Sequence, residues 1–583
     1  MTSIFELLSH SLEISRRTAQ SILIVAYTAA IGQTWVESSP SGLSPPPPPP
    51  SSSFVPTIEW TRCPSLYPAR LECGRLRVPM DHDEPGDSDN LITLGVVRSR
   101  ARSAGQHLGN LIVNPGGPGV SEVSKFVTER EEELISQKLM EVYDIIALDP
   151  RGVGVSNPVK CDASIYNERV PSYVRSQSDV DYLVSWSQAL GRSCANLTGP
   201  LINYLDTVSV AKDLDLLRQA SALGDDKLNY LGFSYGTQLG SQYAELFPEH
   251  VGRMVLDGIT DHSQSEVGSF ITGAMSFEDT FNSVARWCNT TSECALYHQD
   301  VPAIFDRLVD DANEQPILAP SCHSPYSKAT GDHAVGVETS TCRSEVTGYE
   351  IIDNSQAFLQ RKSLWIAWSK ALLEAIHGNA TLLSTPLLTS NVFPITNDLN
   401  EFSDRAIVCQ DWLRPTGPRA GRDLLSMFKA ARALAPHTRG ISQVSNIPTG
   451  CIGWPAPVRN PQRRLCRDQL EKAPPIMLVS SLHDPSTSIV WAIRLRKQMP
   501  TAVSIFRDGF GHTSYREYGE TQMIIDEFLI QGSMAEDLTT LDSCISLLAA
   551  FIKQVLACLR HIIRSELPKS AEYPANDVQA EFL

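Results

Sequence analysis

The sequence predicts an α/β fold, in which a mostly parallel central sheet is flanked by helices and carries a large, mainly helical insertion. Three observations predict it. Short apolar runs suited to buried strands end in glycine-rich turns within residues 111–119 and 228–236. A strand, a helix and a second strand follow one another at residues 476–506. The chain between these two parts is far longer than one or two strand–helix units require, which indicates an insertion.

The first element is an apolar strand at residues 111–113 that continues into a glycine-rich loop, NPGGPG, at residues 114–119. Because glycines carry no side chain, the backbone N–H groups of such a loop can approach the oxyanion that forms during acyl transfer. We therefore predict that the N–H of Gly117 is one donor of an oxyanion hole. A phosphate-binding loop is the alternative, but no G-K-[ST] sequence follows these glycines.

A second strand, at residues 143–148, leads into a turn that contains Asp149 and Arg151. The glycines that follow indicate a tight turn close to the predicted oxyanion loop. We interpret Asp149 and Arg151 as a buried ion pair that shapes this loop, and binding of substrate by either residue is the alternative.

Residues 228–246 are expected to form a strand, a tight turn and a helix. Residues 228–231 (LNYL) are mainly apolar, whereas residues 237–246 carry helix formers with apolar residues at helical spacing. The turn between them, GFSYG, is so tight that only glycine fits on either side of Ser234. Such a turn projects the hydroxyl above the sheet, so we predict that Ser234 is a nucleophile. The N–H of Tyr235 would be the second oxyanion donor.

The insertion is predicted at residues 263–473. Helical stretches are evident at residues 276–287, 301–312, 357–377 and 423–433, and residues 321–347 are polar and irregular. We interpret the insertion as a lid over the active site. A lid excludes water, strengthens the electrostatic interactions inside the site and limits the size of the substrate.

Two further candidate residues follow consecutive strands near the end of the core. Asp484 comes after a strand at residues 476–481, and His512 comes after the next strand, at residues 502–506. The chain order Ser, Asp, His is the one expected of a hydrolase triad. The histidine would accept the proton of Ser234 and later give it to the leaving group, while the aspartate would orient the imidazole.

Other residues compete for these roles. Asp257 also ends a predicted strand, at residues 253–256, but a structural acid at the strand end is the favoured interpretation. His483 lies beside Asp484 and is interpreted as a surface or pocket-wall histidine. No H-E-x-x-H motif and no paired Cys-x-x-Cys spacing is present, so neither a metal site nor a cofactor is predicted.

Charge argues against one class of partner. Lysine and arginine total 49 against 66 aspartates and glutamates, a formal charge of −17, and no basic patch stands out. Nucleic acid is therefore not expected as a partner. An acidic surface favours cationic substrates such as free amino termini, or serves solubility alone. The composition and charge of the chain do not indicate its oligomeric state.

The N-terminal region has the features of a secreted protein. Residues 1–32 are similar to a signal peptide, since Arg16 and Arg17 precede an apolar run that is too short to span a bilayer. Residues 33–58 are rich in proline and serine and are predicted to form an extended linker. We therefore expect an extracellular protein without a stable membrane span.

The core is predicted in two parts, at residues 59–262 and 474–542. After them, residues 543–583 are expected to contain an apolar helix followed by a disordered tail. Packing of this helix on the core is favoured, and binding to a membrane surface or to a partner is the alternative.

Thirteen cysteines without metal-site spacing indicate disulfides and an oxidising compartment. The plausible local pairs are Cys63–Cys73, Cys161–Cys194, Cys288–Cys294, Cys322–Cys342 and Cys451–Cys466. The odd total leaves at least one thiol unpaired or bound to another chain. Asn196, Asn289 and Asn379 begin N-x-[ST] sequons and permit glycosylation.

Five motifs together resemble one known family. They are NPGGPG at 114–119, DPRGVGVS at 149–156, GFSYG at 232–236, DP at 484–485 and GFGH at 509–512. The combination is similar to the tripeptidyl aminopeptidase branch of the α/β-hydrolases, which is related to the proline iminopeptidases. The resemblance implies the α/β-hydrolase fold with a lid, in a secreted serine hydrolase that often acts as an exopeptidase on short peptides. Some relatives are instead esterases or amidases of small molecules.

We therefore predict a serine hydrolase that cleaves amide or peptide bonds through an acyl-enzyme, with an aminopeptidase that releases short peptides from a free N-terminus as the leading function. An esterase, lactonase or amidase of a specialised metabolite is the alternative. An inactive hydrolase fold used for adhesion or scaffolding is disfavoured, because the triad is complete. An aminopeptidase needs a carboxylate to bind the substrate ammonium; Asp261, Glu266 and Glu278 lie near the start of the insertion, and nothing distinguishes among them.

Overall fold

The structure is a computed structural model of the chain. It describes residues 56–84, 90–103, 105, 107–128, 131–220, 226–323, 340–390, 400–414, 419–537 and 539–542. The predicted signal-like segment, nearly all of the predicted linker and the predicted C-terminal helix and tail lie outside these residues. In the part that is described, no helix is both long enough and apolar enough to cross a membrane.

A ten-stranded sheet forms the centre of the protein. Its strands are β1 (Ile58–Thr61), β2 (Leu71–Pro79), β3 (Leu91–Ser99), β4 (Asn110–Asn114), β5 (Asp144–Leu148), β6 (Leu228–Phe233), β7 (Val251–Asp257), β8 (Met477–His483), β9 (Val503–Phe510) and β10 (Thr539–Asp542). Their spatial order is β1-β2-β3-β5-β4-β6-β7-β8-β9-β10. The pairings of β1 with β2, β2 with β3 and β3 with β5 are antiparallel, and all the others are parallel. The mostly parallel central sheet predicted from the sequence is confirmed.

Helices connect the strands and cover the sheet. They are α1 (Glu122–Thr128), α2 (Glu131–Leu134), α3 (Gln137–Val142), α4 (Ala163–Tyr166), α5 (Gln177–Thr198), α6 (Thr207–Gln219), α7 (Tyr235–Leu246), α8 (Glu266–Thr290), α9 (Val301–Glu314), α10 (Gly348–Leu359), α11 (Trp365–Ile376), α12 (Glu401–Asp411), α13 (Ala420–Leu434), α14 (Asn446–Cys451), α15 (Arg467–Leu470), α16 (Ile489–Gln498) and α17 (Glu520–Gln531). Alternate strand residues pack against the helices on opposite faces: Ile112 and Ile146 belong to one apolar layer, Leu111 and Ile145 to the other. Burial of both faces explains why these strands are nearly continuous apolar runs.

After β7 the chain leaves the sheet, forms α8 to α15, and returns to it in β8. Most of the buried apolar residues of this region, including Phe281, Phe305 and Trp368, form a second apolar core, which Val180 and Leu183 of α5 also join. The structure differs from the predicted helix at residues 357–377, because α10 ends at Leu359 and α11 begins only at Trp365. The helical spacing of apolar residues continues across this break, so the sequence pattern does not indicate it. Between the two α-helices, Lys362–Leu364 forms a turn of 3-10 helix.

Five disulfides are present among the described residues. They are Cys63–Cys73, Cys161–Cys194, Cys288–Cys294, Cys322–Cys342 and Cys409–Cys451. The first four were predicted, but the predicted pairing of Cys451 with Cys466 is wrong, and Cys466 is a free thiol. Packing of α12 against α14 brings the α-carbons of Cys409 and Cys451 to 5.2 Å, a contact that proximity in sequence does not indicate.

Candidate active site

Ser234 lies in the turn between β6 and α7, as the sequence predicts. Its backbone has φ +56° and ψ −121°, a conformation that residues with side chains rarely adopt. A Cβ on Gly232 would lie 2.6 Å from the Gly236 carbonyl oxygen, and a Cβ on Gly236 would lie 2.6 Å from Asn114 Oδ1. Both glycines are therefore required by close packing around the serine turn.

The glycine-rich loop after β4 lies directly against this turn. A Cβ on Gly116 would approach the Phe233 carbonyl oxygen to 2.4 Å and Ser234 Cβ to 2.8 Å. Gly117 and Tyr235 line the same cavity as Ser234. Since Tyr235 is the first residue of α7, its N–H has no acceptor within the helix and can bind a ligand.

Two buried side chains behind the loop hold it in place: Asn114, the first residue of the NPGGPG motif, and Glu122, which no sequence motif indicated. The Gly116 N–H donates to Asn114 Oδ1 at 3.0 Å, and Asn114 Nδ2 donates to Glu122 Oε1. The Leu148 N–H donates to Glu122 Oε2 at 3.0 Å. Burial, and then the nearby charge of Asp149, raises the pKa of Glu122 well above its usual range. The loop is thus linked to the end of β5 through buried hydrogen bonds.

Asp484 and His512 follow β8 and β9, and their side chains are hydrogen-bonded: His512 Nδ1 lies 2.9 Å from Asp484 Oδ2. The N–H groups of Ser486 and Thr487 donate to Asp484 Oδ1, both at 2.8 Å, and fix the carboxylate. Burial opposes the charged forms of both groups, but their mutual attraction is stronger. The pKa of His512 is therefore raised above 6.5 and that of Asp484 is lowered below 3.8.

The break between α10 and α11 contacts the histidine loop. The His512 N–H donates to the Gln360 carbonyl oxygen at 2.7 Å, and a Cβ on Gly511 would lie 2.9 Å from the same oxygen. A continuous helix at residues 357–377 would use that carbonyl in its own hydrogen bonds. The break therefore lets the region between β7 and β8 support the loop that carries His512.

Asp257, the competing acid, ends β7 and is fully buried. Its Oδ2 accepts hydrogen bonds from the N–H groups of Ser514 and Tyr515, both at 2.8 Å. Burial raises its pKa to about 6 in spite of these donors. Asp257 thus holds the backbone just after His512, while Asp484 contacts the imidazole itself.

Ser234 and His512 open into a common cavity of about 940 Å³. This volume is near the upper end of the range of about 300–1,000 Å³ that is typical of small-molecule sites. The glycine-rich loop and α1 form part of its lining, and the region between β7 and β8 contributes further residues, including Val408, Trp412 and Ile447. Part of an oligopeptide fits in such a space.

Helix α12 contributes two adjacent charged residues, Asp404 and Arg405, to the cavity wall. The helix begins against the glycine-rich loop, where the Asn400 N–H donates to the Gly119 carbonyl oxygen at 2.9 Å. Across the described chain, neither the Asp404 carboxylate nor the Arg405 guanidinium has a hydrogen bond or an ion pair within 4 Å. Burial raises the pKa of Asp404 to about 7, although the charge of Arg405 opposes this shift.

The three carboxylates suggested by the sequence have other surroundings. Asp261 lines the cavity, but Arg494, Gln498 and the Ser263 hydroxyl and N–H occupy its oxygens. Glu278 accepts from the backbone of residues 437 and 438. Burial raises the pKa of Glu266 to about 8, so this side chain is mostly neutral at pH 7. Asp404 was not among the carboxylates suggested by the sequence. An acidic residue in the first turn of a helix is common, because it interacts favourably with the helix dipole, and therefore does not indicate a binding site.

The turn after β5 does not contain the predicted ion pair between Asp149 and Arg151. Arg151 pairs with Asp213 at 2.6 Å and not with Asp149, and both partners are completely buried. Asp149 instead accepts from the N–H groups of Val123 and Val155. Both residues therefore shape the loop, but through separate interactions.

His483 is partly buried, and its Nδ1 lies 2.6 Å from Asp279 Oδ2 on α8. It is not among the residues that line the cavity of Ser234. Among the residues with described positions, no group of three or more His, Cys, Asp or Glu side chains is arranged to hold a metal ion.

Comparison with known proteins relates this site to a family. Residues 109–331 match the family described as alpha/beta hydrolase fold, and residues 440–540 match the family described as TAP-like protein. Serine protease Hip1 of Mycobacterium tuberculosis is 30% identical over 483 residues, which cover 78% of this chain and 85% of that protein. Tripeptidyl aminopeptidase of Streptomyces lividans is 34% identical over 454 residues, 76% of this chain and 78% of that protein. The chain is a TAP-like α/β-hydrolase.

The α/β-hydrolase domain and the relatives named serine protease and tripeptidyl aminopeptidase identify this TAP-like hydrolase as a serine hydrolase. Its likeness extends to relatives with other names. Carboxylesterase B of Mycobacterium tuberculosis is 28% identical over 451 residues, which cover 76% of this chain and 80% of that protein. The family therefore includes proteins named as peptidases and as esterases.

Proposed function

We propose that Ser234, His512 and Asp484 form the catalytic triad of a peptidase that releases short peptides from a free N-terminus. His512 accepts the hydroxyl proton as Ser234 attacks the substrate carbonyl, and the N–H groups of Gly117 and Tyr235 bind the oxyanion. The same histidine then donates this proton to the leaving amine, and a water molecule activated by it releases the acyl group. The 2.9 Å contact between His512 and Asp484, beside the strained Ser234 turn, is the observation that carries the proposal.

Asp404 is the proposed binding site for the substrate ammonium. Its carboxylate has no protein partner within the described residues, and it lines the cavity next to the glycine-rich loop. An ammonium group would supply the missing ion pair, and its charge would favour the ionised carboxylate. The names of the relatives Hip1 and tripeptidyl aminopeptidase support a peptide substrate. Five disulfides and the signal-like N-terminus support secretion.

Three fluorogenic substrates test this function: a tripeptide amide with a free N-terminus, the same peptide N-acetylated, and a short-chain ester. We expect rapid cleavage of the free peptide and little cleavage of the acetylated one. Turnover of the ester with both peptides untouched would support the alternative, an esterase or amidase of small molecules, which the likeness to carboxylesterase B favours.

Substitution of Asp404 by asparagine is expected to lower kcat/KM for the free peptide by about 10- to 100-fold, the factor associated with a lost charge-assisted hydrogen bond. Turnover of the ester should change little, because the ester lacks an ammonium group. Glu374→Gln, at an exposed position on α11, is the matched control. Equal losses for peptide and ester in Asp404→Asn would contradict the assignment.

The pH dependence should differ between the two substrate types. Ester hydrolysis requires neutral His512, so its rate should fall as the pH drops through the raised pKa of that group. Peptide hydrolysis also requires ionised Asp404, and KM should therefore rise as the pH drops below about 7. In Asp404→Asn the dependence of KM on pH near 7 should disappear. Identical profiles for ester and peptide in the unsubstituted enzyme would refute this role of Asp404.

A further inference from the structure

Arg405 is a partly buried cation that has no hydrogen-bonded or ion-paired partner among the described residues. Its Nε atom is buried and has no hydrogen-bond acceptor, and in the described part of the chain no carboxylate lies within 4 Å of its guanidinium. Burial lowers the pKa of Arg405, although Asp404 and Glu401 oppose this effect. Arginine nevertheless stays protonated in proteins, so the charge remains in the cavity wall.

The surroundings hold this guanidinium in one place. It lies over the Trp186 ring, with Cζ 5.1 Å from the ring centroid. A Cβ on Gly450 would lie 1.4 Å from Arg405 Nη1, so the absence of a side chain at this position makes room for the guanidinium. Stacking on an aromatic ring supports a cation but leaves the N–H donors unsatisfied in the plane of the guanidinium. A planar anion such as a carboxylate would satisfy them.

Arg405 is adjacent to Asp404, the proposed ammonium site, and both line the cavity of Ser234. Both side chains reach this cavity, and the charge of each one shifts the pKa of the other, so the two charges lie near enough to contact one amino acid residue of a ligand. A residue that carries a free amine and an anionic side chain has the complementary pair of charges. A neutral first residue would leave the guanidinium unpaired.

We infer that Arg405 selects substrates whose first residue carries a carboxylate, so that the preferred peptides begin with glutamate or aspartate. The inference rests on the proposed peptidase function and adds the class of substrate. Arg405 binds the side-chain carboxylate, Asp404 binds the α-ammonium, and the scissile bond lies further along the peptide at Ser234. Arg405 is thus a determinant of specificity and takes no part in the proton transfers.

Two fluorogenic tripeptide amides that differ only in the first residue, glutamate or glutamine, test the inference. The unsubstituted enzyme should cleave the glutamate peptide with a kcat/KM about 10- to 100-fold higher, as expected for a charge-assisted hydrogen bond. Equal kcat/KM values, or a preference for glutamine, would overturn the inference and leave the peptidase function intact. Turnover of neither peptide would overturn both.

Variants then locate the selectivity. Arg405→Gln should remove the preference for glutamate while the glutamine peptide is still cleaved, and Gly450→Ala should weaken the preference by displacing the guanidinium without removing its charge. Arg192→Gln, at an exposed position on α5, is the control and should retain the preference. Persistence of the full preference in both Arg405→Gln and Gly450→Ala would refute the role of Arg405. Thermal unfolding of each variant shows whether its fold is retained.

Discussion

Replacement of Ser234 by alanine is expected to lower kcat for every substrate by about a thousandfold or more, because the proposed acyl-enzyme forms on the Ser234 hydroxyl. The fold should be retained. Alanine has the same backbone restrictions as serine, so the turn at φ +56° is neither relieved nor worsened by the change. The thermal midpoint should therefore stay within a few degrees of that of the unsubstituted protein, which corresponds to a change of at most about 1 kcal/mol in the free energy of unfolding.

Kinetic assays of the peptide and ester substrates measure the loss, and a serine-reactive phosphonate measures the nucleophile directly. It should label the unsubstituted protein and not Ser234→Ala. Ser241→Ala is a matched control, since this buried serine lies on the same helix and donates only to the Gln238 carbonyl oxygen. Comparable activity in Ser234→Ala and the unsubstituted enzyme would exclude Ser234 as the nucleophile.

Ser234, Asp484 and His512 lie at the same edge of the sheet, because the position of each one is set by the strand and the turn that directly precede it. The two glycines around Ser234 are required by contacts within a few residues of the turn and with the adjacent strand. Asp484 and His512 each follow a parallel strand, and the carboxyl ends of parallel strands lie at the same edge of a sheet. Short apolar runs and turn residues were therefore enough to predict the sheet and the positions of these three residues just after its strands.

The features that sequence reasoning missed depend on contacts between distant segments. The break at Gln360 is stabilised by the His512 N–H, 152 residues away in sequence, so no local pattern indicates it. The Cys409–Cys451 bridge requires that α12 and α14 pack together. Asp404 and Arg405 are ordinary residues of a helix in the sequence, and the roles proposed for them follow only from the cavity that α12 borders. Tertiary packing decides all three.

The second large effect is expected from Asp484→Asn, which should lower kcat by about 10⁴-fold. An asparagine would keep the shape of the side chain but remove the charge that stabilises protonated His512. Its amide N–H₂ would also present donors to Nδ1 and favour the wrong imidazole tautomer. The raised pKa of His512 should then fall, because the attraction of Asp484 no longer offsets burial. Nuclear magnetic resonance of the histidine ring measures that change independently of turnover.

Asp257→Asn is the matched comparison, because Asp257 is another fully buried acid in the same part of the site. Its Oδ2 atom accepts from the N–H groups of both Ser514 and Tyr515, and an asparagine carbonyl oxygen in the same place can still accept these two bonds, although without the negative charge. The expected cost is about 1–3 kcal/mol of stability, with a much smaller loss of kcat than in Asp484→Asn. A far larger loss in Asp257→Asn would reassign the triad acid to β7. The expected order of effects follows from geometry, since of the two acids it is Asp484 whose carboxylate is hydrogen-bonded to the imidazole.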